Sequence, residues 1–443
     1  MTTSIANSSP DSALLHQEMA STWQWRVETD PELAAAMGLL SQRKSTHALD
    51  PRSLDSFDRR LKWLAAALER AKAISRNNLN DADKLSLDLY IKQLADYVTF
   101  TPKYKAYLCC INRLEGPQTD LALYAGYLPV KTRENKEFYL KFLQAIPNQL
   151  SEVTELLKCG LNEKRTPPQV SLEGVIPQIR GMISGNLQSF HSPLERFPES
   201  DSDLKGLCVE EIEGPVTKAF TALADFLEEE YIPNLRTEIS ATTGYPDGEQ
   251  YYKDCLAFHT TTKMTPQEVH EMGLQEVQRV RDEMNDIAKE AGYEGRLEAY
   301  LEYLRTAKEF EPESPQALCT LFRDITGRIG PAMLKLFHLH TLPRLPFSIV
   351  KTPEAHASMA PAAYYLAGSA NKTAPRPGVF YVNTSELPTR RTYECEALAL
   401  HEAIPGHHTQ AAIQGESTDL PDFRRYAEDR RYFEAPCKYM CAY

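Results

Sequence analysis

The stretch Leu398-Ala399-Leu400-His401-Glu402-Ala403-Ile404-Pro405-Gly406-His407-His408-Thr409-Gln410 decides how the rest of this 443-residue chain is read. It places three histidines and a carboxylate within eight residues, directly after an apolar run of good helix formers. A helix is expected over residues 392–404, with Glu394 and Glu396 near its start, where the helix dipole favours acid. Residues four apart share a helix face, so His401 would stand beneath position 405. That position is Pro405, which lacks an N–H and clashes with the carbonyl four residues back, and the helix breaks or kinks there. Gly406 then permits a backbone path that other residues resist.

The spacing resembles the His-Glu-x-x-His zinc helix, in which two histidines one turn apart hold the metal and the glutamate activates water. It departs from that pattern at Pro405. His401 is expected as the first ligand of a Zn2+ ion. His407 is the favoured second ligand, lifted into place if Pro405-Gly406 re-winds the chain. His408 is the alternative, on the same side as His401 but two turns away, about 10 Å along a regular helix. Glu402, beside His401, is expected to serve as general base. A plainer reading stands beside this one: histidines next to a Pro-Gly turn also cap helix ends or line a pocket that holds no metal.

Working outward, a mostly α fold is expected, with a small β-sheet placed late. Leu61, Leu64, Ala65, Leu68 and Ala71 recur at three- and four-residue steps and predict a helix over 54–74. A second is predicted over 81–98, with Asp81 as its N-cap. Residues 124–134 read as a connection, and 136–157 as a long helix interrupted at Pro147. The clearest start signal is Thr265-Pro266-Gln267-Glu268, a capping box with proline at the first helical position. Its apolar line, Val269, Met272, Leu274, Val277, Val280 and Met284, predicts a packing helix. The pattern over 315–339 predicts another, on which His338 and His340 would point about 200° apart and share no metal. Phe347-Ser348-Ile349-Val350 and Gly378-Val379-Phe380-Tyr381-Val382-Asn383-Thr384 read as strands. Pro375 and Pro377 suggest that the second is an edge strand. The domain expectation is a disordered segment over 1–10 and a single helical domain over 11–443.

Net charge is −12, which argues against a nucleic-acid partner held by bulk electrostatics. Nine cysteines, odd in number and without Cys-x-x-Cys spacing, suit a reducing compartment. No secretory signal is visible, and no apolar run approaches the roughly 20 residues of a membrane helix. The expectation is a cytoplasmic protein with no membrane partner.

His-Glu-Ala-Ile-Pro-Gly-His-His-Thr-Gln, preceded by Arg376-Pro377-Gly378-Val379-Phe380-Tyr381-Val382-Asn383-Thr384, resembles the domain of unknown function 885 family; Tyr364-Tyr365 is similar as well. The resemblance implies a largely helical, zincin-like fold related to metallopeptidases, with His401, Glu402 and His407 or His408 at its centre. It implies that the strand lies beside the active-site helix, where an extended peptide adds by β-augmentation. Tyr381 and Asn383 become substrate-facing candidates, with plain sheet packing as the other reading. A zinc peptidase site needs a third protein ligand, and Glu416, Glu428 and Glu434 are the candidates within the chain. The resemblance puts that glutamate just past Tyr443, and the aromatic end of the chain fits a C-terminally incomplete domain. The functional expectation is a zinc-dependent hydrolase acting on a peptide or small amide substrate. The alternative is a catalytically inactive helical protein that binds peptides or partners and lacks the third ligand.

Overall fold

A computed structural model of the chain describes residues 9–353, 357, 360–370 and 375–426. It is mostly helical, at 70% helix, with one small three-stranded sheet. The chain divides into two compact units, one built from the residues up to Tyr252 together with the stretch from Thr418, the other Lys253–Ser417. A single domain was expected over 11–443; the described chain clusters into these two units.

The first unit is helical. Disorder was expected through residue 10, yet Pro10–Thr29 is a helix whose N-cap, Ser9, accepts from the Ser12 amide. Residues 1–8 lie outside the described residues. Leu54–Lys72 forms as its periodicity predicts. Asp81–Tyr104 runs six residues longer than the helix read over 81–98, and its cap is Asn80, whose side chain accepts from the Asp83 amide at 2.9 Å. Asp81 is the first helical residue.

Arg133–Glu163 passes through Pro147 without the expected interruption. The lost hydrogen bond and ring clash cost about 3 kcal/mol. Leu143, Ile146 and Leu150 are buried on either side, and each contributes roughly 1.5–3 kcal/mol, so the packed face wins. Part of the expected connection over 124–134 is likewise helical, because Pro117–Tyr127 extends to bury Tyr124.

The second unit carries the sheet. Strand β1 is Phe347–Lys351, β2 is Ala363–Leu366 and β3 is Gly378–Val382, in the order β1-β3-β2. β3 pairs parallel with β1 and antiparallel with β2. It is therefore the central strand, and the edge position expected for it is corrected. Pro375 and Pro377 precede the strand, so neither removes a ladder donor; Gly378, its first residue, donates to the Pro346 carbonyl at 3.0 Å. The free edges belong to β1 and β2, so β3 is not where an added peptide strand would pair.

Phe380 meets Phe322 of the helix Pro315–Ile329 edge to face, with ring centroids 5.1 Å apart. That helix stops at Ile329, short of the expected Leu339. His338 caps, and His340 lies within, the short 3-10 turn Leu339–Thr341, and their rings stack at 5.6 Å between centroids instead of diverging around an α-helix. The capping box at Thr265 forms as predicted, opening the helix Pro266–Glu290. Its apolar line does not pack as expected: Met272, Leu274, Val277, Val280 and Met284 are exposed. No described helix is long and apolar enough to cross a membrane.

Candidate metal centre

The His/Glu stretch forms two short helices, Cys395–Glu402 and His407–Glu416, not one kinked helix. Cys395, Ala399 and Ala403 recur every four residues and lie in the core shared with Phe322, Phe380 and Val382. Two of the three are alanine, which lets the helix backbone sit close to that core. Glu402 is half-buried and His401 exposed, away from this contact.

The first helix closes with the Ala403 amide on the Ala399 carbonyl at 3.0 Å. A wide turn follows, containing a cis Ile404–Pro405 bond, in which the Gly406 amide reaches back to the Leu400 carbonyl at 2.9 Å. A Cβ at position 406 would collide with the His401 carbonyl, so only glycine fits this approach. Residue 407 thereby opens the second helix with its ring edge to face against His401, centroids 4.7 Å apart. The turn brings together the pair that spacing favoured.

His408 goes elsewhere. It is 3% exposed, with Nδ1 2.9 Å from the Tyr365 hydroxyl and its ring 4.5 Å from that of Phe347. Burial is the main cause that pushes its pKa down to about 4, against a hydrogen bond to the Leu345 backbone that favours the charged form. A neutral ring that accepts from Tyr365 and donates to Leu345 satisfies both contacts. Glu416 secures the same segment, its Oε1 accepting the amides of Arg344 at 2.7 Å and Leu345 at 2.6 Å. Both His408 and Glu416 are thus engaged in holding the chain ahead of β1.

Asn383, expected to face substrate, is completely buried. Its Nδ2 donates to the carbonyls of Ala357 at 2.7 Å and Ala360 at 2.8 Å, and its Oδ1 accepts from the Ser385 amide and hydroxyl. With all four positions filled, it pins the exit of β3 and has nothing left for a ligand. Tyr381 is half-buried and stacks on Tyr364 across the β2–β3 ladder at 4.8 Å.

Two residues that position His408 carried no role in the sequence reading. Tyr365 supports His408, and Gly378 makes room for it, since a Cβ there would strike the Tyr365 ring and hydroxyl. The Tyr364-Tyr365 pair was visible in the sequence, but only the β2–β3 register shows which tyrosine points at His408.

Imidazole is a donor type that zinc takes, so His401 and His407, whose rings meet, fit as part of a ligand set. Among the described residues no group of three or more His, Cys, Asp or Glu side chains assembles around one point. Glu428 and Glu434 lie outside the described residues.

Among curated proteins, none matches the sequence. Solved structures that share the fold include two described as lipoproteins. One, from Colwellia psychrerythraea, is described as a putative lipoprotein; it superposes with a TM-score of 0.82 at 21% identity, covering 97% of this chain and 76% of its own. The other, described as a putative lipoprotein of unknown function from Shewanella oneidensis, gives a TM-score of 0.58 at 13% identity, covering 94% and 74%. Residues 31–434 match the model of the family described as bacterial protein of unknown function (DUF885), and the chain belongs to that family.

Proposed function

We propose that the chain is a metal-dependent hydrolase of peptide or related amide bonds, with His401 and His407 holding a Zn2+ ion and Glu402 as general base. The observation that carries this reading is the meeting of the His401 and His407 rings, 4.7 Å between centroids, across a turn that tolerates only Gly406. Glu402 adjoins that pair at the end of the first helix. Glu428 or Glu434 is proposed as the third donor. When bound, such an ion lowers the pKa of water and polarises a carbonyl. Glu402 takes the proton of the attacking water onto its carboxylate and returns it to the leaving amine. A zincin-like arrangement belongs to the same proposal, supported by the core that the helix Cys395–Glu402 shares with the sheet.

The substrate class is a peptide or small amide, without nucleic acid or membrane partners. A cytoplasmic location is proposed with it, supported by seven described cysteines that are all free thiols. The descriptions of the two similar structures would favour an anchored protein instead, and cell fractionation separates the two.

Glu402→Gln tests the chemistry on a mixed peptide library read by mass spectrometry. The expected result is cleavage by the wild type and a loss of about 10²–10⁴-fold in the variant. Peptide binding without cleavage in either form would overturn the enzyme reading in favour of an inactive peptide-binding protein.

A further inference from the structure

We infer that the first unit holds a separate binding site for a small aromatic carboxylate, in the cavity between the helices Pro10–Thr29 and Leu54–Lys72. The cavity is an open cleft of about 740 Å³, within the range of small-ligand sites. Its apolar part is built on Trp25 and Trp63, whose indoles stack at 4.2 Å between centroids and 6° between planes. Arg70 lies over the Trp63 ring at 5.8 Å and is itself tied to Glu18 at 2.7 Å. The aromatic surface is therefore held in place before any ligand arrives, which lowers the ordering cost of binding. A planar ring gains most on such a surface, through offset or edge contact with indole.

The charge of the ligand follows from which lining groups are already engaged. Asp50 is paired with Arg60 at 2.6 Å, and both are buried. The Glu28 carboxylate accepts the amides of Lys44 and Ser45 and the side chain of Gln24. Arg59 is paired with Asp55 on the helix surface. Lys62 has no ion partner among the described residues, and the His47 ring makes no hydrogen bond there. The acids of the lining are thus engaged, while Lys62, exposed and in the lining, has no ion partner among the described residues. This occurs in a chain of net charge −12, where a surplus of cations is against the average. A carboxylate on an aromatic ring matches both halves: the ring against the tryptophans, the anion on Lys62.

The test is calorimetric titration of the full chain with 2-naphthoate and with its neutral counterpart 2-naphthamide. One naphthoate should bind per chain, about tenfold or more tighter than the amide. Lys62→Ala, at an exposed position that leaves folding intact, should weaken naphthoate about tenfold and leave the amide unchanged. Trp25→Ala and Trp63→Ala should each weaken both ligands, with circular dichroism reporting whether each variant folds. Equal affinity for acid and amide, undiminished naphthoate binding in Lys62→Ala, or no binding at millimolar naphthoate would each overturn the assignment.

Discussion

Gly406 is the residue on which the meeting of His401 and His407 depends. Gly406→Ala puts a methyl group against the His401 carbonyl, a backbone contact that no rotamer change relieves. The expected loss is roughly 1–3 kcal/mol or more in denaturant unfolding, together with loss of the histidine pairing. Asn383 makes the opposite kind of prediction. The resemblance offered it to substrate, with sheet packing as the other reading, and its four hydrogen bonds make it a fastener of the β3 exit. Asn383→Ala strands buried carbonyls, each worth roughly 1–3 kcal/mol, so the unfolding midpoint should fall sharply. A folded Asn383→Ala chain of unchanged stability but raised KM would contradict that role. The meeting of His401 and His407 was legible because residue order sets it: Pro405-Gly406 interrupts the helix between them. The separate fate of His408 was not, since a histidine reads alike whether its neighbours are a metal or a tyrosine brought from β2.

At the scale of elements, local signals were read well and tertiary ones less so. The capping box at Thr265 and the three- to four-residue periodicities placed helices, because those signals act within a few residues of the chain. Two readings failed for a shared reason: Pro147 did not end its helix, and the prolines before β3 did not make it an edge. In each case the proline rule was applied without knowing what packs on, or pairs with, the neighbouring residues. The helix Pro266–Glu290 shows the same gap from the other side, since its apolar line was taken for a packing face. Leu274 is 58% exposed. Leu274→Gln should therefore change stability by no more than about 0.5 kcal/mol, whereas Phe380→Ala, wholly buried against Phe322, should cost about 3–5 kcal/mol. Chemical denaturation of the two variants checks the contrast, and a large loss in Leu274→Gln would mean that this face is covered in solution.

Across the whole molecule, the two units carry buried titrating groups of opposite sign. In the first, Glu32 is pushed up to about 7 from 4.5, by burial and then by Asp30 and Asp50. Its unfolded form gives up a proton first, so ionisation favours unfolding and this contribution falls as pH rises from 4.5 to about 7. In the second, His408 is depressed to about 4 from 6.5, so the unfolded chain takes up a proton first. That contribution is complete above pH 6.5 and is lost as pH falls towards 4. Glu32→Gln should raise the denaturant midpoint at pH 7 and change little at pH 4, while His408→Gln should flatten the acid side; slopes of the reverse sign would refute the assignment. The central claim concerns His401 and His407 as joint donors, and titration of zinc into the folded chain, followed by calorimetry, tests it most directly. The account predicts one zinc site in the wild type, retained in His408→Gln and abolished in the double variant His401→Ala/His407→Ala. Zinc binding that survives the double variant, or that is absent from the wild type, would contradict it.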